Sequence, residues 1–121
     1  MILADSSVWI DHFRTPNPQL QRLVANGKLY NHPFVTGELA AGSIQVRHRV
    51  ISLLRGLPQL GVASETDFYT FIERENLNGL GLGFVDLHLL AAVKHAGGAL
   101  LWTHDRRLEE QARRLDLNLD Q

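Results

Sequence analysis

Gly81-Leu82-Gly83-Phe84-Val85-Asp86-Leu87-His88-Leu89-Leu90-Ala91-Ala92-Val93-Lys94-His95-Ala96-Gly97-Gly98-Ala99-Leu100-Leu101-Trp102-Thr103-His104-Asp105 reads as a helix, a tight turn and a buried strand. Val85 to Ala96 has helical composition, and Gly97-Gly98 stops it. Ala99 to Trp102 is apolar without polar alternation, the mark of a parallel strand covered on both faces. Asp86 shares a helical face with Leu89, Leu90 and Val93, so the spacing points its carboxylate inward. An unpaired charge there is costly and needs a reason. Asp105 follows the strand's C-terminal end, where open α/β sheets place their ligands.

Outward from this stretch, strands and helices alternate. Ile2 to Ala4 is a short strand that meets Asp5, and Val8 to Phe13 reads as a helix with Asp5 suited to capping it. Thr15-Pro16-Asn17-Pro18 is a loop. Leu20, Leu23 and Val24 mark a second helix, and Leu29-Tyr30 a second strand. Pro33 opens a helix to Ala41, where its missing N–H costs nothing. Glu38 on that helix has Phe34, Val35, Ala41 and Gly42 as helical neighbours, which places it on an inward face. Ile44 to Leu57 is a further helix, Gly61-Val62-Ala63 a strand, and Ser64 caps a helix running to about Asn76. Asn78 to Gly83 is a glycine-rich loop. After Asp105 a last helix carries Leu108, Ala112 and Leu115, and Leu117-Asn118-Leu119 forms an edge strand. The pattern predicts an α/β fold, a three-layer α/β/α arrangement around a central, mostly parallel sheet of four to five short strands.

At 121 residues the chain is expected to form one domain, residues 1–121, with a real core. A net charge of -1 excludes a strongly basic nucleic-acid binder by bulk charge, but not an enzyme with a basic rim around an acidic site. The absence of cysteine removes disulfide and thiolate-metal chemistry and fits a reducing, cytoplasmic location. Met1 to Ala4 is too short for a signal segment, and no apolar run approaches the ~20 residues that span a membrane.

Four acids stand out: Asp5, Glu38, Asp86 and Asp105. Two follow strands and two lie on helix faces read as inward. In a doubly wound sheet these positions can converge on one crevice. Clustered carboxylates stay ionised only if a cation neutralises them. Oxygen-only ligands select a hard ion, Mg²⁺ or Mn²⁺, which activates water for attack on phosphate esters. Capping is the rival reading. Asp5 and Asp105 are suited to helix N-caps, Asp86 to a first helical turn, and Glu38 to a solvated helix face.

Other features carry less. The six histidines lack the close pairing of a helical zinc site and read as surface or packing residues. Gly79, Gly81 and Gly83 lack a P-loop lysine and follow a helix, so they read as a flexible loop. Glu109–Arg113 and Glu110–Arg114 are spaced as ion pairs on a solvated face. Arg106 and Arg107, beside Asp105, are better placed for a phosphate backbone. Trp9 and Trp102 read as core. A receiver-type signalling domain needs an acceptor aspartate after a middle strand and a late lysine. Here Ala63-Ser64 follows that strand, and the only lysines are Lys28 and Lys94. A dehalogenase-type phosphatase needs Asp-x-Asp where Asp5-Ser6-Ser7 stands.

Ile2 to Asp11, Glu38-Leu39 after Pro33, Gly81 to Leu90 and Leu101-Trp102-Thr103-His104-Asp105 together resemble PIN-domain ribonucleases, in particular the VapC-type toxins of bacterial toxin–antitoxin pairs. The resemblance spans essentially the whole chain. It implies a PIN-like fold with a catalytic and metal-holding quartet of Asp5, Glu38, Asp86 and Asp105. It matches a supporting hydroxyl to Thr103 and another to Ser6 or Ser7. It implies Mg²⁺- or Mn²⁺-dependent RNA cleavage, homodimerisation and inhibition by a small antitoxin protein. His104 occupies a variable position beside the last acid. A non-catalytic relative that only binds RNA or protein is the remaining alternative.

Overall fold

The computed structural model describes residues 1–120. Three strands form its sheet: β1 (Ile2–Ala4), β2 (Leu29–Tyr30) and β3 (Leu100–Trp102). They run parallel in the order β2-β1-β3, with Ile2 opposite both Leu29 and Leu100. Leu3, Ala4, Leu29, Leu101 and Trp102 are buried, as expected of parallel strands covered on both faces.

Among the described residues, seven helices surround the sheet: α1 (Ser6–Arg14), α2 (Pro18–Ala25), α3 (Pro33–Ala41), α4 (Arg47–Gly56), α5 (Glu65–Arg74), α6 (Phe84–Ala96) and α7 (Arg106–Arg114). The α/β architecture follows the sequence reading. The helix α6 is the most enclosed, with every residue from His88 to Val93 buried. Its Ala91-Ala92 pair lets neighbours approach closely. Trp9 and Trp102 are both core residues.

The sheet departs from the expected four to five strands. In place of the outer two, the described residues show single parallel bridges, Asn31 with Gln59 and Leu101 with Asn118. Gly61-Val62-Ala63 forms neither a strand nor a bridge. The pairing falls earlier, where the Asn31 N–H donates to Pro58 O at 2.8 Å and Leu60 N–H to Asn31 O at 2.7 Å. The helix expected from Ile44 begins at Arg47, because Val46 takes a left-handed backbone (φ 47°) that cannot continue a helix backwards.

Because β1 and β3 are adjacent and parallel, their C-terminal ends open on the same edge of the sheet. The residues that follow them, Asp5 and Thr103 to Asp105, are therefore neighbours despite nearly a hundred intervening positions.

Candidate active site at the strand ends

Asp5 is buried at the head of α1, where its Oδ1 accepts the Val8 N–H at 3.2 Å and so caps the helix. The Ser7 hydroxyl donates to the same oxygen at 2.5 Å. The Thr103 hydroxyl donates to Oδ2. Thr103 in turn accepts the Asp105 N–H at 3.0 Å, and Ser7 Oγ accepts the His104 N–H at 2.9 Å. One knot of short polar side chains thus ties β1, α1 and the β3–α7 turn together. Ser6, the other candidate hydroxyl, points elsewhere and donates to Glu38 Oε1 at 3.0 Å. Both serines contribute, each to a different acid.

Asp105 caps α7 through the Leu108 N–H at 2.9 Å. Asp86 reaches back to the Gly83 N–H at 3.2 Å in the first turn of α6. The capping reading is therefore correct for Asp5, Asp105 and Asp86 as local structure.

Their electrostatics show that they sense one another. Burial pushes the Asp5 carboxyl above its ordinary value, against the hydrogen bonds from Ser7, Thr103 and the Val8 amide. Asp86 is also raised, first by desolvation and then by the charges of Asp105 and Asp5. Glu38 is raised by desolvation at the rim, and then by Asp86 and Asp5. Glu38 itself is exposed, so solvent screens much of its burial effect. Its surviving link to the others is that mutual repulsion.

Two sequence expectations change here. Glu38 does not look inward. The buried face of α3 is Val35 and Leu39, and Glu38 stands at its rim. Asp86 is half-buried rather than enclosed. In addition, among the described residues no three acidic or imidazole side chains stand close enough, as placed, to grip one ion. The acids share an edge of the sheet without closing on a centre. Each instead accepts a hydrogen bond from a nearby donor. The donor set, oxygen only and self-repelling, fits a hard divalent cation.

Some of the surroundings leave no signal in the sequence. His104 Nδ1 lies 2.6 Å from Asp11 Oδ2, strapping the β3–α7 turn to α1. Of the candidate phosphate contacts, Arg106 pairs with Glu110 at 3.5 Å. Arg107 lies over the glycine-rich loop, where a Cβ at Gly81 would come within 2.8 Å of its Nη1. Glu109 pairs with Arg113 as expected, but Arg114 bonds Gln111 Oε1 and the Glu75 carbonyl rather than Glu110. His32 and His88 are buried packing residues. His32 also caps α3, its Nδ1 accepting the Phe34 N–H at 3.0 Å, a cap the residue type does not advertise. Phe84 sits unexpectedly in the open at the start of α6, with 64% of its surface exposed.

The family model for the PIN domain matches residues 2–114. Ribonuclease VapC32 from two strains of Mycobacterium tuberculosis is 44% identical over 109 residues, covering 90% of this chain and 88% of the relative. The crystal structure of PAE2754 from Pyrobaculum aerophilum superposes with a TM-score of 0.60 at 17% identity, over 91% of this chain and 84% of that one. That last likeness concerns the fold.

Proposed function

We propose that this chain, which belongs to the PIN-domain family, is a divalent-metal-dependent endoribonuclease acting as the toxin of a toxin–antitoxin pair. The observation that carries the reading is Asp5 held at the C-terminal end of β1 by Ser7 and Thr103, with repulsion linking it to Glu38 and Asp86. The similarity to a named ribonuclease over 90% of the chain supports RNA as the substrate.

In this reading Asp5, Asp86 and Asp105 hold Mg²⁺ or Mn²⁺, and Glu38 completes the set from the rim. Bound there, such an ion would supply water activation and charge neutralisation at the scissile phosphate. The protein supplies position. Thr103 and Ser7 fix both oxygens of Asp5, so its lone pairs are aimed before any ligand arrives. Ser6 steers Glu38. Arg106 and Arg107 flank Asp105 and attract the RNA backbone. The whole of residues 1–121 acts as one domain, in the cytoplasm where cellular RNA is found. A small antitoxin masks the anionic site, for which an inserted arginine is well suited. The protein works as a homodimer.

The test is direct. Protein freed of any inhibitor should cut a structured RNA with Mn²⁺ or Mg²⁺ and stop with EDTA. Asp86→Asn should abolish cutting while the chain stays folded, and expression alone should arrest growth unless the antitoxin is co-expressed. A fully active Asp86→Asn protein removes the metal-site reading. Harmless expression of an active nuclease removes the toxin role.

A further inference from the structure

Phe84 is the most exposed large apolar side chain of the described residues, at 64%. It is not isolated. Its ring lies 6.3 Å from Phe34 in a stacked arrangement, and 5.4 Å and 4.7 Å from Phe68 and His88 edge-on. Phe68 and His88 are buried and stacked at 3.8 Å, so the exposed ring rests on a fixed aromatic floor. Rings in contact at these separations hold one another in place.

The position of this cluster is informative. Phe34 is one helical turn before Glu38 on α3, and residues so spaced are surface neighbours. Phe84 follows Gly83, whose N–H the Asp86 carboxylate accepts. The aromatic cluster therefore joins the two helices that carry the outer acids. The Arg107 guanidinium lies over Gly81, three residues before Phe84 in the chain and with a left-handed backbone (φ +78°). An exposed aromatic ring and a guanidinium close to one short loop are the two elements by which proteins hold single-stranded nucleic acid. Bases stack on the ring, and the cation follows the phosphates.

We infer that Phe84 is a stacking platform for one unpaired base of the RNA, with Arg107 on the adjoining phosphate, so that the strand is laid across Glu38 and Asp86. This rests on RNA being the substrate. Every base offers a π-face, so the platform selects unpaired over paired RNA and discriminates little between sequences.

The experiment measures binding of a labelled single-stranded RNA oligonucleotide in EDTA, where nothing is cut. Wild type is compared with Phe84→Ala and Phe84→Trp, and an oligonucleotide whose central bases are absent serves as control. Phe84→Ala should weaken binding about fivefold or more, the range for loss of one stacked base. The base-free control should show no such difference. Phe84→Trp should bind at least as well as wild type, and its new exposed indole should be quenched by RNA, whereas Trp9 and Trp102 are buried. In cleavage, the loss in Phe84→Ala should fall on KM more than on kcat. Wild type that binds and cuts RNA with Phe84→Ala binding equally well overturns the platform alone. A Phe84→Ala protein that changes oligomeric state in sedimentation, with RNA affinity intact, also overturns it and makes the ring a contact between copies. Wild type that neither binds nor cuts RNA overturns the ribonuclease reading and the platform with it.

Discussion

The acidic edge of this protein is built in two halves of different character. At the strand ends, Asp5 is buried and both its oxygens are engaged by hydroxyls that are themselves engaged. On the helix side, Asp86 and Glu38 each rest on one hydrogen bond, from the Gly83 N–H and the Ser6 hydroxyl, and both are reached by water. The first half is preorganised and costs a change in fold to move. The second half can shift by rotating side chains. On the proposed reading, such a site would keep one rigid anchor and leave its other acids free to turn towards a shared ligand. It also explains how the same carboxylates serve as helix caps.

The contrast is open to attack, starting at the anchor. Asp5→Ala removes the α1 cap and strands the hydroxyls of Ser7 and Thr103 near the core. A loss of about 3 kcal/mol is expected from a cap and a buried unsatisfied group together, read as a fall in Tm on the order of 10 °C. An unchanged melting temperature would mean the knot is not rigid.

Thr103→Val keeps the shape but deletes the donor to Asp5 and the acceptor of the Asp105 N–H. About 1–2 kcal/mol should be lost, with cleavage falling further than stability because Asp5 is no longer aimed. Equal melting and cleavage for Thr103→Val and wild type would remove Thr103 from the positioning role.

The helix half is probed best by pH. Asp86 and Glu38 have folded-state pKa values above their ordinary ones, so the folded chain binds more protons than the unfolded chain between the two values. Metal-free stability should therefore fall as pH rises through that window, starting from about 4. His32 works in the opposite sense. Burial and His88 push it down to about 4, so it adds stability as pH rises towards its unfolded value of 6.5. The difference between wild type and Asp86→Asn in EDTA cancels the histidine and isolates the carboxyl. The variant should gain on wild type with rising pH, and parallel melting profiles would contradict the repulsion.

Ser6→Ala should do least. It deletes one exposed hydrogen bond to Glu38, worth about 0.5 kcal/mol or less, and a larger drop in Tm would show that Glu38 is held more firmly than its exposure suggests.

How far the sequence reveals this depends on which half is considered. The capping roles in the strand-end half are legible because they are local. Asp5 and Asp105 each stand between a short apolar run and a helix, and a residue there is both a cap and a neighbour of the sheet edge. The helix half was read less well. Phe34, Val35, Leu39, Ala40 and Ala41 give α3 apolar residues on most sides, so its phase is ambiguous, and the spacing reads Glu38 as inward although Val35 and Leu39 own the buried face. Residues that meet only through the fold left no signal. Nothing near Asp11 announces His104, and nothing in the loop before α6 distinguishes an exposed Phe84 from a packed one. The outer strands failed for a related reason, since a single bridge such as Leu101 with Asn118 needs one favourable residue pair and no pattern.

The claim beneath all of this is that the four acids serve one cation as well as their own helices. It is tested by the melting temperature of wild type as Mn²⁺ is added to metal-free protein, beside Asp86→Asn and, as an exposed acid elsewhere, Glu73→Gln. Wild type and Glu73→Gln should climb together with Mn²⁺, because the ion binds the folded chain preferentially. Asp86→Asn should start higher in EDTA, by roughly 4 °C for ~1 kcal/mol of relieved repulsion, and climb much less. If wild type ignores Mn²⁺ and Asp86→Asn melts no higher without it, the acids are three separate caps and one rim glutamate, and the shared site does not exist.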